Sequence, residues 1–146
     1  MQQSTQENVE TICGFSESDH PSLILVIDDE PSFCTVLSEI LRSFGYHVQQ
    51  AHSVDQALQV LEREPPDLIL TDIMMPGTDG LTLIRQLRAN PRWSSMPMIV
   101  VSAKSQPEDI AASEEAGADG CLIKPFSAGE LREAVNAHLK PNHNSI

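Results

Sequence analysis

Four short apolar segments of the chain end at polar residues, and this pattern limits the folds that the chain can adopt. The segments LILVI, DLILT, PMIVV and GCLI lead into Asp28 and Asp29, Asp72, Ser102 and Lys124 respectively. Apolar runs of this length without a polar face are typical of strands that a parallel sheet buries on both sides. Because parallel strands end at the same edge of a sheet, we expect three carboxylates, a hydroxyl and an ammonium to meet in one crevice.

Helical patterns separate these strands. Strand-like and helix-like segments alternate five times from Leu23 onward, which predicts an α/β fold with a parallel sheet. A further strand from Tyr46 to Ala51 is predicted at the sheet edge, because Val48 is its main apolar residue. The predicted strands cover residues 23–27, 46–51, 67–71, about 96–101 and 120–123.

The predicted helices carry start and stop signals. Pro31 suits the first turn of the first helix and Gly45 ends it. The third helix is expected after a loop from Ile73 to Gly80, and the Asn90-Pro91 step ends it. Two residue pairs have the spacing of capping boxes, at the second and fifth helices: Ser53 with Gln56, and Ser127 with Glu130.

Two helices differ in how firmly their apolar faces should hold them. The first helix has a broad apolar face at helical spacing, made of Phe33, Val36, Leu37, Ile40, Leu41 and Phe44. The fourth, residues 105–117, has only Ile110, Ala111 and Ala116. We therefore expect the fourth helix to shift at low energetic cost.

The chain divides into a single domain with a tail at each end. Residues 1–21 are polar and lack periodicity, which predicts a flexible N-terminal tail. An alternative is that Val9, Ile12 and Phe15 form a short docking helix. The folded domain is expected to cover residues 22–140, and residues 141–146 form a C-terminal tail.

Composition excludes several classes of protein. The 21 acidic and 9 basic residues give a formal net charge of -12, which disfavours direct binding to nucleic acid. No apolar run approaches the roughly 18 residues of a membrane span, and no secretory signal begins the chain, so we expect a cytoplasmic protein without membrane contact. The three cysteines lack the spacing of a zinc site or a disulfide framework and are expected to be free thiols.

The expected crevice has the chemistry of a metal-assisted phosphoryl site. Crowded carboxylates are costly to ionise together, and a hard divalent cation relieves that cost. Magnesium fits, because it takes one or two carboxylates and completes its shell with water and phosphate oxygens. Asp72 could then act as a nucleophile towards phosphorus, while Lys124 and Ser102 stabilise the transferred group.

Each of these residues also has an ordinary structural explanation. Asp28 and Asp29 precede a helix and could cap it, and Asp72 could be another strand-end cap. Lys124 could be a solvated lysine and Ser102 a turn residue. The combination of residue type, order and strand-end position favours the functional explanation.

Four motifs together resemble the receiver domain of two-component response regulators. They are LVIDDE, LTDIMMPGTDG, VVSAK and GADGCLIKPF, in the family's order and spacing, and the resemblance covers residues 22–140. It implies a flavodoxin-like, doubly wound five-stranded parallel sheet with strand order 2-1-3-4-5 and five helices.

The resemblance also implies a role for each matching residue. Asp72 matches the phosphoacceptor, Asp29 a direct Mg²⁺ ligand and Asp28 an acidic residue that acts through water. Met74 would offer its backbone carbonyl to the metal. The remaining matches are Ser102 as the switch hydroxyl, Lys124 as the phosphoryl contact, Pro125 as the proline of a cis peptide, and Met75-Pro76-Gly77 with Gly80 as the loop under the metal.

The chain departs from the family pattern where the switch is usually completed. Receivers usually carry Tyr, Phe or His three residues before the lysine, whereas this chain has Cys121. We therefore expect activation to be transmitted by the loop after Ser102, which includes Ala103, and by the fourth helix. Met74 and Lys104 match positions that tune hydrolysis, and this pair predicts a long-lived phosphoryl group.

The leading interpretation is a stand-alone receiver of the chemotaxis or sporulation type. It would take a phosphoryl group from a histidine kinase or a histidine phosphotransfer protein and signal through the surface of the fourth helix, fifth strand and fifth helix. Its catalysis would be limited to its own phosphotransfer and slow self-dephosphorylation; homodimerisation is left open. The alternatives are a receiver from a larger regulator, and a haloacid dehalogenase-type hydrolase, which would need a second aspartate where Met74 stands.

Overall fold

The computed structural model describes residues 21–75 and 79–139. Within them the chain forms five strands and five helices in strict alternation: β1 Leu23–Ile27, α1 Pro31–Ser43, β2 His47–Ala51, α2 Val54–Arg63, β3 Leu68–Asp72, α3 Gly80–Ala89, β4 Met98–Ser102, α4 Pro107–Ala116, β5 Gly120–Ile123 and α5 Ala128–His138. The predicted tails, the alternative docking helix and the Pro76-Gly77 part of the loop lie outside the described residues.

All five strands lie in one parallel sheet with the order β2-β1-β3-β4-β5, as expected. One apolar layer packs α1 and α5 against one face of the sheet. A second layer packs α2, α3 and α4 against the other face. The order reverses beside β1, so the carboxyl ends of β1 and β3 flank the crevice where ligands of such sheets bind.

The predicted ends of the third and fourth strands were each one residue too early, and the correction matters for the site. β3 and β4 extend to Asp72 and Ser102, which are therefore the last residues of their strands. Asp72 pairs with Val101 and Ser102 pairs with Ile123 in the parallel ladders. Both polar side chains thus start from backbone that the sheet holds firmly.

The first helix begins and ends where the sequence predicts. Pro31 occupies its first turn, and Gly45 has a φ of 100°, a conformation that glycine adopts without steric cost. Its predicted apolar face was wrong at Val36, whose surface is 55% exposed. The buried positions Cys34, Leu37, Ser38 and Leu41 follow the three- and four-residue steps of one helical stripe, and Val36 lies beside it.

One of the two predicted capping boxes forms completely. Ser127 accepts a hydrogen bond from the Glu130 amide, and the Glu130 carboxylate accepts one from the Ser127 amide. At α2, Ser53 accepts from the Gln56 amide, but the Gln56 side chain accepts from the His52 amide. In this second box the amide that donates to the Gln56 side chain therefore belongs to His52 and not, as predicted, to Ser53.

Helix α4 is shorter than predicted and weakly packed. It buries only Ser113 and Ala116, while Ala111 is exposed, contrary to the predicted apolar face. Ser113 is tolerated there because its hydroxyl donates to the Asp109 carbonyl 3.1 Å away. Gly117, with a φ of 116°, ends the helix.

The Arg88 side chain on α3 holds the far end of α4. Its Nε donates to the Gly117 carbonyl at 2.8 Å, and its Nη2 contacts Asp119 Oδ2 at 2.8 Å. Its Nη1 donates to the carbonyls of Ser94 and Met96 at 3.0 and 2.7 Å. The carboxyl end of α4 is therefore tied to α3 and to the start of β4, whereas its amino end carries no such tie among the described residues.

Within residues 21–75 and 79–139, no helix combines the length and the apolar character that crossing a membrane requires.

Candidate functional site

Three aspartates meet at the carboxyl end of the sheet. Asp28 and Asp29 follow β1, Asp72 ends β3, and one carboxylate oxygen from each lies within 4.8 Å of the others. A set of oxygen ligands this compact has the chemistry of a site for a hard divalent cation.

Asp28 is buried, with only 2% of its surface exposed. It does not cap the helix that follows. The residue that caps α1 is Glu30, and no side chain completes that cap. Asp28 Oδ1 instead accepts the Glu30 amide at 2.9 Å, which bends the chain from β1 into α1. The helix-cap explanation of Asp28 and Asp29 was therefore wrong for α1.

The backbone of Asp28 is fixed from two directions that the sequence did not suggest. Its carbonyl accepts a hydrogen bond from the Cys34 thiol at 3.3 Å and lies 3.1 Å from Nδ1 of His52. Burial, followed by the charge of Asp28, raises the pKa of Cys34 to about 11, so this thiol stays protonated and donates. Cys34 and His52 therefore fix the backbone that carries the Asp28 carboxylate.

The environment of Asp72 disfavours its ionised form. Burial raises the pKa of this carboxyl group, and the nearby charge of Asp28 raises it further. Lys124 and the amide of Ile73, which donates to Asp72 Oδ1 at 2.7 Å, act in the opposite direction. The net rise indicates that burial outweighs the opposing effects of Lys124 and the backbone amide, and a cation bound by the carboxylates would favour the ionised form.

Lys124 reaches into the carboxylate cluster from the end of β5. Its Nζ lies 3.4 Å from Asp28 Oδ2 and 3.9 Å from Asp72 Oδ2. It also lies over the ring of Phe33, 4.1 Å from the centroid. The sequence predicts Phe33 only as part of an apolar face, and the one local signal for its contact is an aromatic residue one turn after the aspartate pair.

Ser102 connects the site to the loop that precedes α4. Its side chain is buried, and its Oγ accepts the amide of Lys104 at 3.0 Å. Its carbonyl accepts the amide of Lys124 at 2.8 Å, which fixes the ends of β4 and β5 together. Ala103 and Lys104 are exposed beside this bond.

The remaining predicted positions surround the cluster. Met74 is 58% exposed at the rim, and the Lys124-Pro125 peptide is cis, as the family resemblance implies. A Cβ atom at Gly80 would overlap the Asp72 carbonyl oxygen, so the chain can approach β3 closely only with glycine there. Cys121 is half-buried against the apolar layer of α2, α3 and α4, and burial raises the pKa of its thiol.

The structure therefore brings most of the predicted residues to one place. Asp28, Asp29, Asp72 and Lys124 share the crevice, and Ser102 is joined to Lys124 through the backbone. Sequence reasoning missed three supporting residues, Phe33, Cys34 and His52, because their contacts depend on how separate elements pack.

Comparison with known proteins gives one consistent family. The family model described as response regulator receiver domain matches residues 24–136. Transcriptional regulatory protein BaeR of Escherichia coli O6:H1 is 40% identical over 117 residues, which make up 80% of this chain and 48% of BaeR. The chain spans about half the length of the curated relatives it matches.

Two solved structures show the same fold in other proteins. The signal receiver domain of a signal transduction histidine kinase from Syntrophus aciditrophicus is 33% identical, with a TM-score of 0.76 over 86% of this chain and 96% of that one. Chemotaxis protein CheY4 of Vibrio cholerae is 26% identical, with a TM-score of 0.77 over 82% of this chain and 99% of that one.

Proposed function

This chain belongs to the response regulator receiver domain family, and from that membership we propose that Asp72 accepts a phosphoryl group from a phosphohistidine donor. The domain is a phosphorylation-dependent signalling switch, as its family is. The observation that carries the assignment to Asp72 is the compact cluster of Asp28, Asp29 and Asp72 facing Lys124.

Magnesium fits this cluster. The donor set is made of carboxylate oxygens, and three negative groups face a single ammonium. Asp29 and Asp72 would ligate the ion directly, Asp28 would act through water, and the Met74 carbonyl would complete the protein ligands. When bound, Mg²⁺ would neutralise charge on the phosphoryl oxygens.

The chemistry left to the protein is positioning and charge stabilisation. A carboxylate oxygen of Asp72 attacks phosphorus, the new oxygen–phosphorus bond forms as the phosphorus–nitrogen bond of phosphohistidine breaks, and the leaving imidazole takes the electron pair. Lys124 moves the short distance from the carboxylates to the incoming phosphoryl oxygens, and the Ser102 hydroxyl donates to another of them.

The donor would be a histidine kinase or a histidine phosphotransfer protein. The surface that supports its docking is a partly exposed apolar strip on α1 next to the site, where Val36 is 55% exposed and Phe33 and Ile40 are half-buried. A donor seated there would hold its phosphohistidine close to Asp72.

The surface through which the protein passes on its signal is a prediction. We propose that the face of α4, β5 and α5 binds a protein target. BaeR is by name a transcriptional regulator, and this chain matches only about half of it. The absence of direct DNA contact, the stand-alone form and the cytoplasmic location therefore remain predictions for the whole protein, and homodimerisation stays open.

The proposed function is tested by intact-mass measurement after incubation with acetyl phosphate. We expect one added phosphoryl group with Mg²⁺ present and none after the metal is removed with EDTA. Sustained turnover of p-nitrophenyl phosphate would instead favour the hydrolase, and Met74 argues against it, because the second aspartate of such enzymes is missing. Failure to take up any phosphoryl group would contradict the proposal.

Met74→Asn is expected to shorten the lifetime of the phosphoryl group. The exposed Met74 side chain at the rim of the site would hinder the attacking water, whereas asparagine could hydrogen-bond to it. We expect loss of phosphate to accelerate roughly tenfold, which corresponds to ~1.4 kcal/mol in the barrier. The decay is followed by mass after removal of acetyl phosphate, with Leu58→Asn as a control at a remote, partly exposed apolar position. Equal lifetimes in Met74→Asn and the wild type would refute the expectation.

Activation is expected to move the amino end of α4. Ser102 Oγ accepts the Lys104 amide, so a hydroxyl that turns to a phosphoryl group releases the loop that leads into the helix. Beryllofluoride with Mg²⁺ mimics the phosphoryl group, and we expect the amide shifts outside the crevice to concentrate in residues 103–112. Mg²⁺ alone is the control. Shifts spread evenly over α1 to α5 would argue against this route.

A further inference from the structure

The ammonium of Lys124 has a third neighbour besides the two carboxylates. Its Nζ lies 4.1 Å from the centroid of the Phe33 ring. A cation at this distance over an aromatic face is attracted by the ring, and the attraction grows when water is partly excluded. The Lys124 side chain is 22% exposed, so this contact is largely shielded.

The carboxylates alone do not hold Lys124 firmly. Its distances of 3.4 and 3.9 Å to Asp28 and Asp72 exceed the ~2.7–2.9 Å of a charge-assisted hydrogen bond. The lysine side chain is a flexible four-carbon chain that loses rotational freedom when it is fixed. A further contact is needed to keep its ammonium at the acceptor.

Phe33 packs against the apolar layer of α1 and α5 only from its margin. The buried stripe of α1 consists of Cys34, Leu37, Ser38 and Leu41, whereas Phe33 is half-buried at its margin. Phe33 and Lys124 both line an apolar groove beside α1, and the ammonium lies over the ring. The position of Phe33 therefore serves the ammonium contact as well as packing.

We propose that Phe33 is a positioning residue that holds the Lys124 ammonium beside Asp72, ready for an incoming phosphoryl group. The inference rests on the proposed function, because it concerns the same acceptor. When the carboxylates ligate a cation, their attraction for Lys124 weakens, and the ring is the neighbour that continues to hold the ammonium.

The test compares variants that keep or remove the aromatic face. Phe33→Leu retains apolar bulk without a ring, and Phe33→Tyr retains the ring. Phe44→Leu is a matched control: Phe44 caps the other end of α1, and its ring lies 5.2 Å from the Arg132 guanidinium, a different cation. Thermal unfolding establishes that each variant is folded, and Phe33→Met replaces Phe33→Leu if the latter is not.

Two quantities are measured with the full chain. The first is the chemical shift of the Lys124 ε-methylene protons, which the ring current moves upfield in the wild type and in Phe33→Tyr but not in Phe33→Leu. The second is the rate of loading by acetyl phosphate with Mg²⁺. We expect Phe33→Leu to load about 3- to 10-fold more slowly, as expected for loss of a cation–π contact, with Phe33→Tyr and Phe44→Leu near the wild type.

The outcomes separate the inference from the proposed function. Loading of Phe33→Leu at the wild-type rate, or equal slowing in Phe33→Tyr, overturns the role of Phe33 while the acceptor assignment stands. An unchanged Lys124 shift in Phe33→Leu overturns it as well. A wild type that takes up no phosphoryl group contradicts the proposed function, and the role of Phe33 with it.

Discussion

Asp72→Asn is expected to abolish uptake of the phosphoryl group from acetyl phosphate. An amide oxygen is a far weaker nucleophile than a carboxylate, and the variant also loses one of the three oxygen ligands of the cluster. Intact-mass measurement should show one added group in the wild type and none in the variant. Asp55→Asn, in the first turn of α2, is the control and should load normally. Uptake of a phosphoryl group by the Asp72→Asn variant would show that another residue is the acceptor.

The same substitution is expected to stabilise the fold at neutral pH. The pKa of Asp72 is raised in the folded state by burial and by Asp28, so the folded protein favours the protonated carboxyl group. Ionised Asp72 therefore destabilises the domain at pH 7, and asparagine removes that cost. We expect a gain of about 1 kcal/mol, the ordinary size of a single-substitution effect.

The effect of Asp72 on the free energy of unfolding should become more unfavourable as the pH rises. Because the folded-state pKa lies above the unfolded value, the stability contributed by the neutral carboxyl group is fully present below the unfolded pKa. That contribution is lost as the pH rises through the folded pKa. The advantage of Asp72→Asn over the wild type should thus be largest at neutral pH and shrink on acidification. Thermal unfolding over a pH series without metal measures this, and an advantage that grows at low pH would contradict it.

Arg88→Met is expected to cause the largest loss of stability. The guanidinium, whose side chain is 21% exposed, donates to the carbonyls of Gly117, Ser94 and Met96 and pairs with Asp119. Methionine keeps the aliphatic stem but removes the donors to the three carbonyls, at a cost of ~1–3 kcal/mol for each carbonyl that stays shielded from water. Asp119 Oδ2 still accepts the Met98 amide. We expect the free energy of unfolding to fall by about 2–4 kcal/mol, since partial hydration will reduce the sum.

The measurement is urea unfolding, together with hydrogen exchange at residues 113–119. Arg92→Met is the matched control, because Arg92 pairs at 2.9 Å with Glu62 between exposed side chains. Such a surface pair contributes about 0–1 kcal/mol. Faster exchange at the carboxyl end of α4 should accompany the loss in Arg88→Met alone. Equal losses in the two variants would show that Arg88 does not anchor α4.

Local signals predicted most of the fold. Each strand except β2 contains a short apolar run, and the effects of Pro31, Gly45 and the Ser127–Glu130 box reach only a few residues along the chain. Interactions of short range leave their mark directly in the order of residues, which is why these elements could be predicted. The errors lay where burial depends on neighbours: Val36 and Ala111 are exposed, although their spacing fits an apolar face.

In the candidate site, too, some features follow from local sequence and others from tertiary packing. The sequence by itself determined which residue types stand at the strand ends, because Asp28, Asp72, Ser102 and Lys124 each follow a strand-forming run. Only the tertiary structure decided what surrounds them: the ammonium of Lys124 over Phe33, the thiol of Cys34 and the ring of His52 at the Asp28 backbone, and the Arg88 tie to α4. Apart from the Cys34 thiol, which is six positions from Asp28, these contacts join residues more than twenty positions apart, and their geometry follows from how helices pack on the sheet and not from any local pattern.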